Sequence, residues 1–397
     1  MRLAVVGGKL QGVEAAYLGL KAGYEVVLID RLAGVPATGL AAETHVLDVV
    51  HEPERARRLF RTCDAVLPAC EDNDTLSWLV EQASTWGVPL LFDLSAQVVS
   101  SSKLRSNRLF DELGIPRPSP WPACGFPLIV KPSGTSGSEG VRLVDNADEL
   151  AAAREALEAA GHETVIEEFA PGPSLSLEVV AWQGEVAPLL GTELEFDRYY
   201  DCKRVLAPVT LAAAPDLLAR LDDIGARLAR GLDLNGVMDI EVMVHAGELK
   251  VLEIDARLPS QTPTVVYGAC GVNIVALLVE MVLGGALPRY DRTVRGGCCY
   301  QHVCIADGAV EVLGEHMMGG ARPLRLVAGL YGADEVITDL PAGADGLDEE
   351  WVATIITFGA DARDARARAD AAVLLLAAEH GLAVTPETSA QPGDECR

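Results

Sequence analysis

The sequence lacks an excess of positive charge. Its 58 acidic residues against 32 basic ones leave a net charge of −26 over 397 residues. Nucleic acid and anionic membranes both call for a basic footprint, so neither is expected as a main partner. A triphosphate would have to be held by a few locally placed cations. Ordered cysteine spacing is also missing. Nine cysteines are scattered without C-x-x-C or zinc-ligand spacing, and Cys298-Cys299 is the only close pair. This reads as reduced, buried thiols in a cytoplasmic protein. No apolar run reaches the length of a membrane span, no secretory signal pattern opens the chain, and no internal repeat is visible.

What the chain does have is acid in a pattern. Residues 236–242, Gly-Val-Met-Asp-Ile-Glu-Val, alternate as a strand does. A turn at Ala246-Gly247 follows, and residues 248–255 alternate again. Residues two apart in a strand share a face, so Asp239 goes with Glu241 and Glu253 with Asp255. An antiparallel hairpin brings the two pairs together. Four carboxylates on one face repel each other unless a cation sits among them. Oxygen-only ligation suits Mg2+, which usually takes one or two carboxylates plus substrate phosphate. Arg257 stands just past the acids, placed to neutralise a phosphate that the metal also holds. The plainer alternative is a solvated hairpin face. The doubled pairs, the Arg and the following Pro-Ser-Gln-Thr-Pro-Thr loop weigh against it.

At the N-terminus, residues 2–6 read as a strand, 7–12 as a glycine-rich turn, 13–22 as a helix and 25–30 as the next strand. Such a unit points backbone N–H groups out of a helix N-terminus. The spacing is G-G-x-x-x-G, not the G-x-G-x-x-G of dinucleotide sites, and such a turn also serves close packing alone. Residues 65–68 and 89–92 supply further parallel strands, with a helix at 75–86 between them. Glu71 follows the carboxyl end of a strand, where ligands bind in open α/β sheets; helix N-capping explains it equally well.

Ser101-Ser102 can cap a helix that carries Lys103. Residues 128–131, Leu-Ile-Val-Lys, form a strand, and the Gly/Ser loop 132–140 leads to another at 141–144. The loop offers N–H and hydroxyl donors to phosphates, though it is no P-loop: G-K-[ST] is missing and a strand follows. A surface hairpin is the alternative. Residues 164–169 form a strand ending in two acids and an aromatic. Residues 174–182 alternate, with Ser176 and Glu178 on one face. Residues 197–204, DRYYDCKR, read as a polar, mobile loop, 215–231 as an amphipathic helix, and 273–283 as another helix.

In this order, Lys103, the 128–132 strand with its Gly/Ser loop, Ile166-Glu167-Glu168-Phe169, the run from Gly236 to Glu241, and Glu253-Ile254-Asp255-Ala256-Arg257 resemble the ATP-grasp superfamily over residues 100–290. More narrowly, Gly7-Gly8-Lys9-Leu10-Gln11-Gly12, Tyr200-Asp201-Cys202 and IDARLPSQTPTVVY are similar to the ligase family of pyrrolysine biosynthesis, whose members join 3-methyl-D-ornithine to L-lysine. That likeness covers nearly the whole chain. It implies an α/β ATP-grasp fold. A Rossmann-like parallel-sheet domain would occupy 1–99, the ATP-grasp domain 100–290 and a small α+β lobe 291–385, with a flexible tail at 386–397.

The resemblance also implies roles. Lys103 and Lys131 would hold ATP phosphates under a loop containing Ser138. Glu167, Glu168, Phe169 and Ala170 would form the adenine hinge, and Gln11, Gly12, Asp30 and Asp48 would lie close to nucleotide. Glu241, Glu253 and Asp255 would carry Mg2+. Ser176, Leu177, Glu178, Asp239, Ser260, Gln261, Thr262, Pro263, Thr264 and Val265 would surround the D-ornithine-type substrate. Leu10, Glu71 and Glu315 would receive L-lysine. Lys131 and Arg257 would act on the moving phosphoryl group. Two departures stand out: Glu253-Ile254-Asp255 replaces the E-x-N of many relatives, and Ser174 stands where many have a ribose-binding Glu.

The expected chemistry is amide formation through an acyl phosphate, with ATP and Mg2+ as cofactors and small amino acids as partners; a homodimer is left open. Three readings compete with it. A different ATP-grasp amino-acid ligase would use another substrate pair. An NAD-dependent oxidoreductase would use the N-terminal turn and leave the acidic hairpin unexplained. A non-catalytic nucleotide sensor would release no ADP.

Overall fold

Four parallel strands form the N-terminal sheet, in the order Glu43–Val46, Glu25–Asp30, Arg2–Val6, Ala65–Pro68. The computed structural model describes residues 1–211, 214–341 and 349–387. Leu3, Ala4, Val5, Val27, Leu28 and Ile29 are all fully buried, as strands covered on both faces require. Gly7 has φ +108, and a Cβ there would lie 2.3 Å from the Ala69 carbonyl oxygen, so the turn after the first strand needs glycine. The helix Leu10–Lys21 starts earlier than the expected residue 13, because the Val13 N–H already bonds to the Lys9 carbonyl at 2.8 Å. Residues 89–92 do not form the expected strand. Only Leu90 bridges Val66, and Pro89 brings no N–H with which to extend the ladder.

A three-stranded antiparallel sheet, in the order Arg142–Val144, Leu128–Pro132, Thr164–Glu168, carries Lys131 and leads into the Gly/Ser loop. Among the described residues the largest sheet has eleven strands. Its path runs from the hairpin Glu248–Asp255 and Gly236–His245, through Ser174–Trp182, Glu185–Phe196 and Cys202–Ala207, to Gly297–Ala306, Trp351–Gly359, Glu335–Thr338 and Arg325–Ala328. Residues 100–290 and 291–385 therefore share one sheet, joined where Cys202–Ala207 pairs with Gly297–Ala306.

The segment expected as a mobile loop at 197–204 is a turn running into that central strand. Arg204 is fully buried, bonded to Gln301, Glu195 and Glu387. A buried guanidinium persists only when such partners saturate it. Of the tail expected at 386–397, residues 388–397 lie outside the described residues; Glu387 pairs with Lys203 and Arg204.

One apolar core joins the lobes. Val13, Tyr17 and Leu18 of the first helix pack with Val265, Ile274 and Leu278, and with Ile337 and Ile356 of the last lobe. The Tyr17 hydroxyl donates to Glu335 at 2.6 Å in the same contact. Burying each such aliphatic side chain contributes about 2 kcal/mol. Helices Thr262–Cys270 and Ile274–Gly284 belong to this core; among the described residues no single helix is long and apolar enough to cross a membrane.

Candidate active site

The acidic hairpin forms as its alternation predicts. Asp239 lies opposite Asp255, and Glu241 opposite Glu253. On the other side of the same strand, Asp239 pairs with Glu178 and Glu241 with Ser176. Two rows therefore cross three neighbouring strands: Glu178, Asp239, Asp255, and then Ser176, Glu241, Glu253. Ser176 Oγ donates to Asp239 between the rows.

Crowding and burial set the protonation of these groups. Glu178 is fully buried and is pushed up to about 8, by burial first and then by the charge of Asp239. The nearby Thr262 hydroxyl offsets part of this without closing a hydrogen bond: both Glu178 oxygens lack a partner among the described residues. Asp239 rises to about 7, by burial and the facing Asp255, with the Ser176 bond opposing. Glu241 is held well above the ordinary range by burial and Glu253. For Glu253 burial acts upward too, but Lys103 and Lys131 outweigh it and keep the carboxyl low.

Each cation in the site already touches an acid. Ser102 caps the helix Lys103–Leu113, as its position predicts, by accepting the Arg105 N–H. From the start of that helix, Lys103 Nζ reaches Glu253 at 2.7 Å and donates to the Thr135 carbonyl at 2.6 Å. Lys131, buried at the end of its strand, pairs with Glu167 at 2.6 Å. Arg257 meets Glu71 at 2.7 Å and Asp255 at 3.1 Å. The three acids expected to carry metal are thus not a ready-made cage. Among the described residues no three His, Cys, Asp or Glu side chains are gathered to hold an ion. Lys103 holds Glu253, Arg257 holds Asp255, and Glu241 has no cationic partner among the described residues.

The Gly/Ser loop lies across the site. Near its start, Ser133 accepts the Lys103 N–H on its carbonyl at 2.8 Å, and Ser136 Oγ donates to Glu71 at 2.6 Å. Ser138 Oγ donates to the Tyr200 carbonyl at 2.9 Å. Beneath the loop, a pocket of about 80 Å3 is lined by Lys103, Ser133, Thr135, Glu253 and Arg257. It adjoins a cleft of about 750 Å3 lined by Leu10, Gln11, Asp30, Asp48, Glu71, Arg257, Ser260 and Glu315. Residues expected at the nucleotide (Gln11, Asp30, Asp48) and at lysine (Leu10, Glu71, Glu315) therefore line one common cleft.

Ser260 Oγ donates to Glu315 at 2.7 Å, joining the loop after the hairpin to the last lobe. Gln261 takes φ +67 and gives the helix Thr262–Cys270 no side-chain cap. The buried Glu14, from the first helix, accepts the Thr264 N–H at 2.6 Å instead. Gln261 Oε1 and the Thr262 and Thr264 hydroxyls have no partner among the described residues. Together with Glu178 they are buried polar groups whose hydrogen-bonding capacity is unspent among the described residues.

Several expected residues turn elsewhere. Leu177, between Ser176 and Glu178, faces the opposite side of its sheet and joins the apolar core with Ile224 and Ile240, as strand alternation requires. Val265 is wholly buried in the core between the lobes. Gly12 is set by packing: a Cβ there would come within 2.2 Å of the Gly7 carbonyl oxygen. At the expected adenine hinge, the Glu168 and Phe169 N–H groups are already given to the Ser119 and Pro127 carbonyls, and the Glu168 side chain pairs with Lys250. Sequence reading missed Glu14. It sits mid-helix with no local motif, and only its distant packing partner reveals it.

Residues 100–261 match the family model of an ATP-grasp domain. The chain is 33% identical over 383 residues to the 3-methyl-D-ornithine–L-lysine ligase of Methanosarcina acetivorans, covering 96% of this chain and 99% of that protein. The enzyme of the same name from Methanosarcina barkeri is 37% identical over 80% of this chain and 83% of its own. In fold, the chain is similar to the biotin carboxylase domain of Hydrogenobacter thermophilus 2-oxoglutarate carboxylase, solved as a dimer with MgADP, ADP and bicarbonate. The TM-score is 0.72, the identity 17%, and the match covers 94% of this chain and 89% of that one.

Proposed function

The chain belongs to the 3-methyl-D-ornithine–L-lysine ligase family of ATP-grasp enzymes, and we propose that it joins a D-ornithine-type carboxylate to the ε-amine of L-lysine at the site just described. It is an ATP-dependent ligase. The observation that carries the residue assignment is the double row of carboxylates flanked by Lys103 and Arg257. Acids outnumber cations there. Cationic ligands, a divalent ion and substrate ammonium groups, are what such a site is short of.

Mg2+ fits this donor set. It needs only one or two protein carboxylates when phosphate oxygens supply the rest, so a preassembled cage is not required. Glu241 would be the first ligand, with Glu253 and Asp255 completing the site as Lys103 and Arg257 turn to phosphate. When bound, the ion would draw negative charge from the phosphate oxygens.

The protein's own groups do the rest. Lys103, Lys131 and Arg257 neutralise the phosphates of ATP, each leaving its present carboxylate partner to do so. The orphaned Glu178, with Asp239, receives the ammonium groups of the ornithine-type substrate. A raised carboxyl becomes ionised when a cation arrives, so binding and charge compensation occur together. The substrate carboxylate takes the γ-phosphoryl group and ADP is released. Glu71 and Glu315 hold the α-ammonium of lysine so that its ε-amine meets the acyl carbon. Phosphate then leaves, the amine loses a proton, and the amide remains. Positioning supplies most of the acceleration. The 133–140 loop keeps water away from the acyl phosphate.

The test is ADP release against a panel of D- and L-diamino acids, each paired with L-lysine. The reading expects release only with a D-ornithine-type acid, and amide only when lysine is added. Equal turnover with unrelated amino-acid pairs would overturn the substrate assignment while leaving the ligase class in place.

A further inference from the structure

The 133–140 loop touches parts of the chain far apart in sequence. Ser136 reaches Glu71 and Ser138 reaches the Tyr200 carbonyl. Between them, Gly137, with φ +61, lies against the ring of His316: a Cβ there would meet Nε2 at 2.7 Å. Asp201 holds that ring from behind, 2.8 Å from Nδ1, and accepts the His316 N–H at 2.9 Å. Asp197 braces the same turn. One of its oxygens accepts the N–H groups of Tyr199 and Asp201, and the other accepts that of Gly314. The neighbouring residue, Glu315, takes the Ser260 hydroxyl at 2.7 Å. Two adjacent residues on one short turn thus meet the loop and the acceptor side of the cleft.

We propose that Asp201 and His316 are positioning residues that form the seat on which the 133–140 loop closes, joined through the peptide to Glu315, so that one element sets both loop closure and acceptor placement. This rests on the ligase reading above, in which the loop covers the phosphates. The consequence is chemical. With the loop seated, only the lysine amine reaches the acyl carbon. With the seat lost, water adds to that carbon and the bond to the phosphate oxygen breaks. Free acid, inorganic phosphate and a proton then leave, and ADP has been made without amide.

The experiment compares wild type with His316→Ala and Asp201→Asn, measuring ADP and amide in the same reaction. Wild type is expected to form them in equal amounts; each variant is expected to raise ADP per amide roughly threefold. A second readout needs no turnover. With a non-hydrolysable ATP analogue, amide hydrogen exchange across 133–140 is expected to slow in wild type and not in the variants. His316→Gln, which keeps a nitrogen-bearing planar group, is expected to recover part of both. If either seat variant fails to fold, Gly137→Ala tests the same contact by driving a methyl into the ring from the other side. Equal ADP and amide in the folded variants, with protection intact, overturns the seat even where the overall rate falls. Wild-type ADP release that ignores amino acids would instead overturn the ligase reading, and the seat with it.

Discussion

Glu253 stands directly opposite Glu241 across the hairpin, and Lys103 reaches Glu253 at 2.7 Å. The pair is lopsided: the cation keeps Glu253 ionised, while Glu241 faces it with a carboxyl held well above the ordinary range. Glu253→Gln keeps the shape and removes the charge. It should abolish turnover, by at least about a hundredfold, while leaving the melting temperature close to wild type. Near-normal ADP production with Mg2+ would show that Glu253 serves only to hold Lys103.

Lys131 is buried against Glu167 at 2.6 Å. Lys131→Ala should weaken ATP binding about tenfold or more, because a chain with net charge −26 offers a triphosphate no general attraction. It should also cost about 3 kcal/mol of stability by leaving Glu167 buried without its partner. Lys131→Ala combined with Glu167→Gln should regain much of the stability and none of the affinity. Calorimetric titration with ATP beside denaturant unfolding separates the two effects. Unchanged affinity would make Lys131 a structural ion-pair residue.

Glu71 gathers Arg257, Ser136 and Gln11 from three separate elements. Glu71→Ala should raise the lysine requirement while ADP formation still depends on the ornithine-type acid. Initial rates against each substrate in turn decide this. If the variant handles lysine normally and loses affinity for the other amino acid, the two substrate sites have been assigned the wrong way round.

Glu14 is pushed up to about 7 from an ordinary 4.5, chiefly by burial, with the nearby Thr264 hydroxyl and N–H opposing. The folded chain therefore holds this proton more tightly than the unfolded chain. The contribution to stability is full below about pH 4.5 and is lost as pH rises through about 7. Glu14→Gln removes the titration but keeps an oxygen for the Thr264 N–H. The variant should gain on wild type by up to about 3 kcal/mol between pH 5 and 8. Denaturant midpoints at the two pH values measure it. A difference independent of pH would mean that the Glu14 carboxyl does not change its protonation in this range.

The sequence by itself determined the local geometry. Strand alternation decided that Asp239 and Glu241 share a face, the Ala246-Gly247 turn decided that Glu253 and Asp255 would come back to meet them, and Ser102 marked the start of the helix that presents Lys103. These features depend on neighbours a few residues away, where backbone periodicity and capping chemistry act. Only the tertiary structure decided which charges neutralise one another. Lys131 meets Glu167 because two strands pair across 36 residues, Arg257 meets Glu71 across 186, and Glu14 caps a helix 250 residues away. The same packing made residues 202–207 a central strand around the buried Arg204. Such contacts follow from how apolar faces stack between lobes, and no spacing along the chain encodes that stacking.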